Sequence, residues 1–267
     1  MITIIRADIY RILRGRAIYI TFALAESILI IYLFGIISGG STTPAEIYAD
    51  ALGYPLESVG YNGMHIVSSV LSFLTRDTSF YLLALILLVA APLFSHNTIR
   101  NDLSRGISKT TLYVSKLILS SLLCCAMMLF FIVTGILSAT ALRGFGGTPP
   151  DGYWLTLLKI CSSQLFMLLA LTCVGVFLVF TIKHTGGVIG IFLAFCLIPS
   201  IFIGTLSSAY PDLIKLLEYD IISNITKLAF IEALDKPDLL KIFGSGAFYM
   251  AASTGAGIAL FKKAEVK

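Results

Sequence analysis

Apolar runs of about 20 residues, the length that crosses a bilayer as a helix, recur along this chain and are separated by shorter polar segments. They predict six transmembrane helices, at about 17–39, 79–95, 112–142, 154–182, 187–208 and 243–261. The third run is longer than a bilayer needs, so its first turns, around Tyr113 and Lys116, are expected to project into the cytoplasm. Pro92 and Pro199 predict kinks in the second and fifth spans. Residues 2–16 follow another pattern. Ile2, Ile5, Ile9 and Ile12 recur at helical spacing, with Arg6, Asp8, Arg11 and Arg14 at other positions. An apolar stripe with basic flanks suits a helix lying in the cytoplasmic membrane interface. The plainer alternative is a basic leader with no shape of its own. The run that follows is over-long and lacks a clear small-residue cleavage site, so the first span is expected to persist.

Two longer polar stretches interrupt the spans. Residues 40–77 open with the breaker run Gly40, Ser41, Thr42, Thr43, Pro44 and carry four acids against the single base Arg76. Val67, Val70, Leu71 and Leu74 share a helical face there. In residues 209–242, Leu213, Leu216 and Leu217 form one short stripe, and Ile221, Ile225, Leu228 and Phe230 another. They predict two short helices at the outer leaflet. Asn224-Ile225-Thr226 matches a glycosylation sequon, a pattern common by chance. The Gly- and Pro-rich stretch before the fourth span predicts a turn, with Tyr153 and Trp154 as interfacial anchors and Lys159 snorkelling outward. Lys183, His184, Thr185 and Gly186 predict a tight turn between the fourth and fifth spans. Ala247, Ala251 and Gly255 are spaced by four, which lets another helix approach closely.

Composition supports the membrane reading. The chain is 57% hydrophobic and 13% charged, with a mean hydropathy of +0.93; a soluble domain carries about 25% charged residues. The runs alternate too poorly for a membrane β-barrel. With both termini cytoplasmic, the inner segments hold 12 of the 19 Lys and Arg residues, and their only acids are Asp8, Asp102 and Glu265. The five cysteines all fall in apolar runs, where packing is the expected role rather than disulfide or metal chemistry. No HExxH and no GxSxG pattern occurs. Lys109-Thr110 resembles the end of a P-loop, but Ser108 stands where that loop needs glycine, so the chain is expected to bind no ATP itself. Glu26 is the only acid deep in an apolar run and marks a candidate intramembrane polar site. A structural hydrogen bond is its first reading and ion-coupled transport the second. The spans otherwise lack the buried ionisable groups that a coupled carrier commonly uses, so the energy source is expected elsewhere.

Residues 96–111 are the most polar stretch between spans. With Lys116 just beyond, they carry Arg100, Arg105 and Lys109 against the single acid Asp102. A loop of this kind on the inner face offers a docking surface for a soluble partner; the plainer alternative is a solvated basic loop near anionic lipids. Its sequence, Asn97-Thr98-Ile99-Arg100-Asn101-Asp102-Leu103-Ser104-Arg105-Gly106-Ile107-Ser108-Lys109 followed by Tyr113 to Lys116, resembles the coupling loop of short six-helix ABC exporter permeases. The chain resembles the permease subunits of lantibiotic and bacitracin self-immunity transporters. The likeness covers the whole chain, including the N-terminal amphipathic segment and the positions of the two long loops. Members of that family often carry an acid shortly before the threonine, where this chain has His96 and Asn97.

The resemblance implies a single all-α permease domain over residues 1–267, in a bacterial plasma membrane, that dimerises with a second permease chain. A cytoplasmic ATP-binding subunit would hold ATP and Mg; no cofactor is expected on this chain, nor any nucleic-acid partner. Asn97 to Ser104 would form the docking helix, with Arg105 beside it, and Gly106 would end it. Lys116 would open the third span. An amphipathic antimicrobial peptide is the implied cargo. The alternatives are an ion-coupled carrier using Glu26, a lipid-acting enzyme for which the residue clusters are missing, and a scaffold without flux.

Overall fold

The computed structural model of the chain describes residues 1–39, 70, 80–95, 98–145, 152–206, 210–228, 231 and 234–264. Every regular element among them is helical. In chain order these are α1 (Ile2–Arg14), α2 (Arg16–Gly39), α3 (residues 80–90), α4 (Pro92–Ser95), α5 (Thr98–Ser104), α6 (Lys109–Arg143), α7 (Tyr153–Ile182), α8 (Thr185–Leu206), a 3-10 helix (Pro211–Glu218), α9 (Ile221–Lys227) and α10 (Lys236–Lys263). The expected helical stripe Val67, Val70, Leu71 and Leu74 lies outside the described residues apart from Val70, which is helical and buried.

Among the described residues, four helices are long and apolar enough to cross a membrane: Arg16–Gly35, Lys109–Ala141, Tyr153–Ile182 and Thr185–Ile203. By helix length and hydropathy this is a multi-pass membrane protein. The two other predicted spans differ. The described part of the second, Phe80–Phe94, is shorter than those four, and it breaks at Ala91, because Pro92 has no N–H to continue the ladder. The helix covering the sixth is long, 28 residues, but starts at Lys236 rather than near 243, and its Lys, Ser and Gly content leaves it outside the four.

α7 is the centre of the bundle. Its middle is buried on every side, from Ala170 to Val176, while Trp154, Leu155 and Leu158 near its start are exposed, and it packs against α6, α8, α9 and α10. Its thirty residues therefore lack one polar face, as a helix surrounded by other helices should. Cys124, Cys173 and Cys196 are buried packing residues. At one end of α7, Tyr153 is turned into the core while Trp154 is exposed, so only the tryptophan is free to act as an interfacial anchor. At the other end the turn is tighter than expected. Only Lys183 and His184 separate α7 from α8, which begins at Thr185. Lys183 takes a left-handed conformation, φ 59°, the one non-glycine residue to do so among those described. Such a conformation costs an L-residue roughly 1–2 kcal/mol. Pro199 lies inside α8.

The outer-loop stripes resolve unequally. Ile221, Ile225 and Leu228 are buried, as the second stripe requires, and Phe230 lies outside the described residues. The first stripe is a 3-10 helix with Leu216 exposed. Asp220 caps α9, accepting from the Ser223 N–H at 2.9 Å. Asn224 is fully buried, and its amide donates to the Glu218 carbonyl at 2.9 Å and to Ser245 Oγ at 3.2 Å. That nitrogen is structural, and its burial excludes it as a glycan acceptor in the fold. Lys241 joins the same region through Glu218 at 3.0 Å, and this hydrogen bond raises its pKa above the usual lysine value.

The small-residue stripe is also placed differently from a packing seam within the chain. Ala247, Ala251 and Gly255 all face outward on α10. The inward face carries Ile242, Ser245, Gly246, Ser253, Gly257 and Phe261.

Candidate functional site

The polar loop contains a short helix with a defined stop. Pro92 breaks the preceding helix, and α5 runs from Thr98 to Ser104. Gly106 then adopts φ 81°, and the Gly106 N–H donates to the Leu103 carbonyl at 3.0 Å. A left-handed glycine closing a helix in this way is the expected αL stop. Asn97 lies outside the described residues. Thr98, Arg100 and Asn101 belong to the helix by backbone. Ile99 is 5% exposed and Leu103 is half-buried, both on the main core. Four residues apart, they hold one face of α5 down. They anchor the helix rather than meet a partner. Asp102 is half-buried, and Ser104 and Arg105 are exposed. The Lys-Thr pair that imitates a P-loop sits at the start of α6, where Ser108 is the N-cap and its Oγ accepts from the Thr111 N–H at 3.1 Å. A capping serine has no phosphate to cradle.

Three ties connect this loop to distant parts of the chain. The first reaches the N-terminus. Lys116 Nζ donates to Asp8 Oδ2 at 2.6 Å, and Arg11 lies 3.1 Å from the other carboxylate oxygen. The side chains of Lys116 and Asp8 are 2% and 10% exposed. Two charges so far out of water are tolerable only as a pair. The expected projection of Tyr113 and Lys116 is therefore not a bare helix end: α1 lies along it, with Ile12 packed beside Leu119 in a small cluster of its own.

The second tie reaches the C-terminus. Lys109 Nζ donates to the carbonyls of Lys262 at 3.1 Å and Ala264 at 2.6 Å. A cation on the orphan carbonyls of the last turn is where the helix dipole favours it. The third tie is packing. Tyr113 is fully buried and its hydroxyl donates to the Ser253 carbonyl at 3.4 Å. Its ring meets Phe180 edge-on at 4.9 Å, and Phe180 in turn meets Phe94 at 5.5 Å and Phe261 at 4.9 Å. Four aromatic rings from α4, α6, α7 and α10 thus form one block beneath the loop helix. Edge-to-face pairs are favourable beyond their buried area. The ring of Tyr113 fits only because Gly257 faces it: a Cβ there would lie 2.6 Å from the Tyr113 ring.

The arrangement can transmit force. Displacing α5 pulls on the start of α6, and that start is bolted to α1 and α10 at once. None of the partners Asp8, Ser253 or Gly257 was singled out as a site by sequence. Asp8 carried the one available signal, as the single acid in an otherwise basic N-terminal segment.

Glu26 is placed away from this site. Thr134 Oγ1 donates to Glu26 Oε2 at 3.0 Å, and both residues are half-buried between α2 and α6. At 1.5 Å per residue, Thr134 is roughly 37 Å along α6 from Lys109. Glu26 therefore lies far from the loop, and the hydrogen bond to α6 matches the first of its two expected readings. No protein-family model matches the chain, and no curated protein sequence matches it either.

Proposed function

We propose that the chain is the permease subunit of an ATP-driven ABC exporter, with α5 as the docking helix for a separate ATP-binding subunit. The observation that carries this reading is a short loop helix closed by Gly106 and followed directly by the start of α6, which Lys109 and Lys116 tie to α10 and α1. A loop that merely meets water or lipid needs no such bracing. In this account α3 and α10 complete six spans, with both termini and α5 in the cytoplasm. The positive-inside distribution supports that orientation. Closure of two ATP-binding subunits around ATP and Mg would shift α5, and the rigid block of Phe94, Tyr113, Phe180 and Phe261 would carry the motion into four helices. A second permease chain completes the pore. The resemblance in the loop supports an amphipathic antimicrobial peptide, or a similar hydrophobic compound, as cargo. The test is gentle detergent purification from the native membrane. A nucleotide-hydrolysing subunit is expected to come down with the chain, and its absence counts against the proposal.

Glu26 separates this reading from an ion-coupled carrier. Glu26→Gln keeps an acceptor for Thr134 and removes the titratable proton. Flux measured in vesicles is expected to persist in this variant. Loss of all flux from a folded Glu26→Gln protein would favour the carrier.

A further inference from the structure

A cleft of about 290 Å³ opens at the turn between α7 and α8. Leu87, Phe94, Val179 and Val188 give it an apolar floor, Lys183 supplies its positive charge and His184 a polar ring. No carboxylate lines it among the described residues. The cleft lies where two helices long enough to cross a membrane meet end to end, so it sits at a membrane surface and not at the midplane. The same end of the bundle carries Lys262 and Lys263, because Phe261 stacks on Phe180.

We propose that this cleft is a site for the phosphate headgroup of an anionic phospholipid from the adjoining leaflet. Charge and polarity together select that occupant. The Lys183 charge matches a phosphate, and the apolar floor matches the first part of an acyl chain attached to it. A free phosphate would leave the floor uncovered. A zwitterionic lipid would bring its own cation against Lys183. The first turn of α8 adds donors, since helix geometry leaves the Thr185 and Gly186 N–H groups without intrahelical acceptors. The next one, Gly187 N–H, is met by His184 Nδ1 at 3.3 Å. Lys183 is the telling residue. Its left-handed backbone, φ 59°, is one that glycine adopts without strain, so the turn itself gives no reason for a lysine there. The inference requires that the chain lie in a membrane and is independent of any ATP-binding partner.

The test is native mass spectrometry of the full chain in neutral detergent, titrated with dioleoylphosphatidylglycerol or dioleoylphosphatidylcholine. The wild type is expected to retain the anionic lipid about tenfold more tightly. Lys183→Gln and Lys183→Gly are each expected to reduce that preference to near unity. The glycine variant also relieves the backbone and is expected to melt no lower than wild type, so its loss of binding cannot come from misfolding. Lys263→Gln, which removes a basic residue at the same end but outside the cleft, is expected to keep the preference. Equal retention of the two lipids by the wild type would overturn the proposal. So would a preference that survives both Lys183 variants, or one that Lys263→Gln abolishes. Displacement of the lipid by excess inorganic phosphate would assign the cleft to a soluble anion instead.

Discussion

Asp8→Ala is expected to destabilise the folded chain by about 3–5 kcal/mol, the cost of stranding a buried charge. Lys116 is 1% exposed, and its ammonium would be left with no carboxylate. Lys116→Met should cost less, near the lower end of that range. The methionine replaces the buried stem with similar volume, and Asp8 keeps Arg11 at 3.1 Å, whose side chain is 44% exposed. The double variant Asp8→Ala/Lys116→Met should then be more stable than Asp8→Ala alone, because no buried charge is left unpaired and Arg11 is solvated. Thermal unfolding in detergent, followed by circular dichroism, measures all three. A cost under about 0.5 kcal/mol for Asp8→Ala would show the pair to be no better than a surface ion pair. The bolt between α1 and α6 would then not exist.

The second large effect sets two glycines against each other. Gly257→Ala is expected to cost about 1–3 kcal/mol, the usual range for overpacking. Its Cβ would fall 2.6 Å from one Tyr113 ring carbon and 2.8 Å from another. Tyr113 has little room to retreat, being held by Phe180 at 4.9 Å. Gly255→Ala meets nothing within 4 Å. It should be neutral, or stabilise α10 by up to about 1 kcal/mol through helix propensity. Melting curves of the two variants, two positions apart on one helix, give the comparison. Equal effects would mean that α10 is rotated from the packing described, and that Tyr113 does not join the loop to it.

How much of this was legible in the sequence varies by element and for physical reasons. The long apolar runs gave α2, α6, α7 and α8, because hydrophobic length is a direct consequence of bilayer thickness. Pro92 and Gly106 marked real boundaries, since each acts on the local backbone alone. The basic loop was visible as charge between apolar runs. Which of its residues face the core was not, because Ile99 and Leu103 bury themselves only against helices far away in sequence. The same limit hid the pairing of Asp8 with Lys116, 108 positions apart, and of Tyr113 with Ser253, 140 apart. The spacing of Ala247, Ala251 and Gly255 marked one face of α10 that another helix could approach closely. It did not say whether that face turns toward the chain, and Gly257 on the other side does the packing. Glu26 was visible as an acid among apolar residues, but its depth along α6 depended on Thr134, which only the packing of α2 reveals.

The central claim is that α5 docks a separate ATP-binding subunit. The most direct measurement purifies the wild type and an Arg100→Glu/Asp102→Arg variant in parallel from the native membrane and assays each for associated ATPase activity. Both substitutions fall in the short loop helix, but the Asp102 carboxylate also acts on the buried Lys116 charge, so circular dichroism of the variant is compared with wild type and Arg100→Glu alone is assayed beside it. The account predicts ATPase activity with the wild type and its loss with the reversed loop. An ATPase retained equally by both would contradict docking through α5, and no ATPase with either would contradict the transport subunit itself.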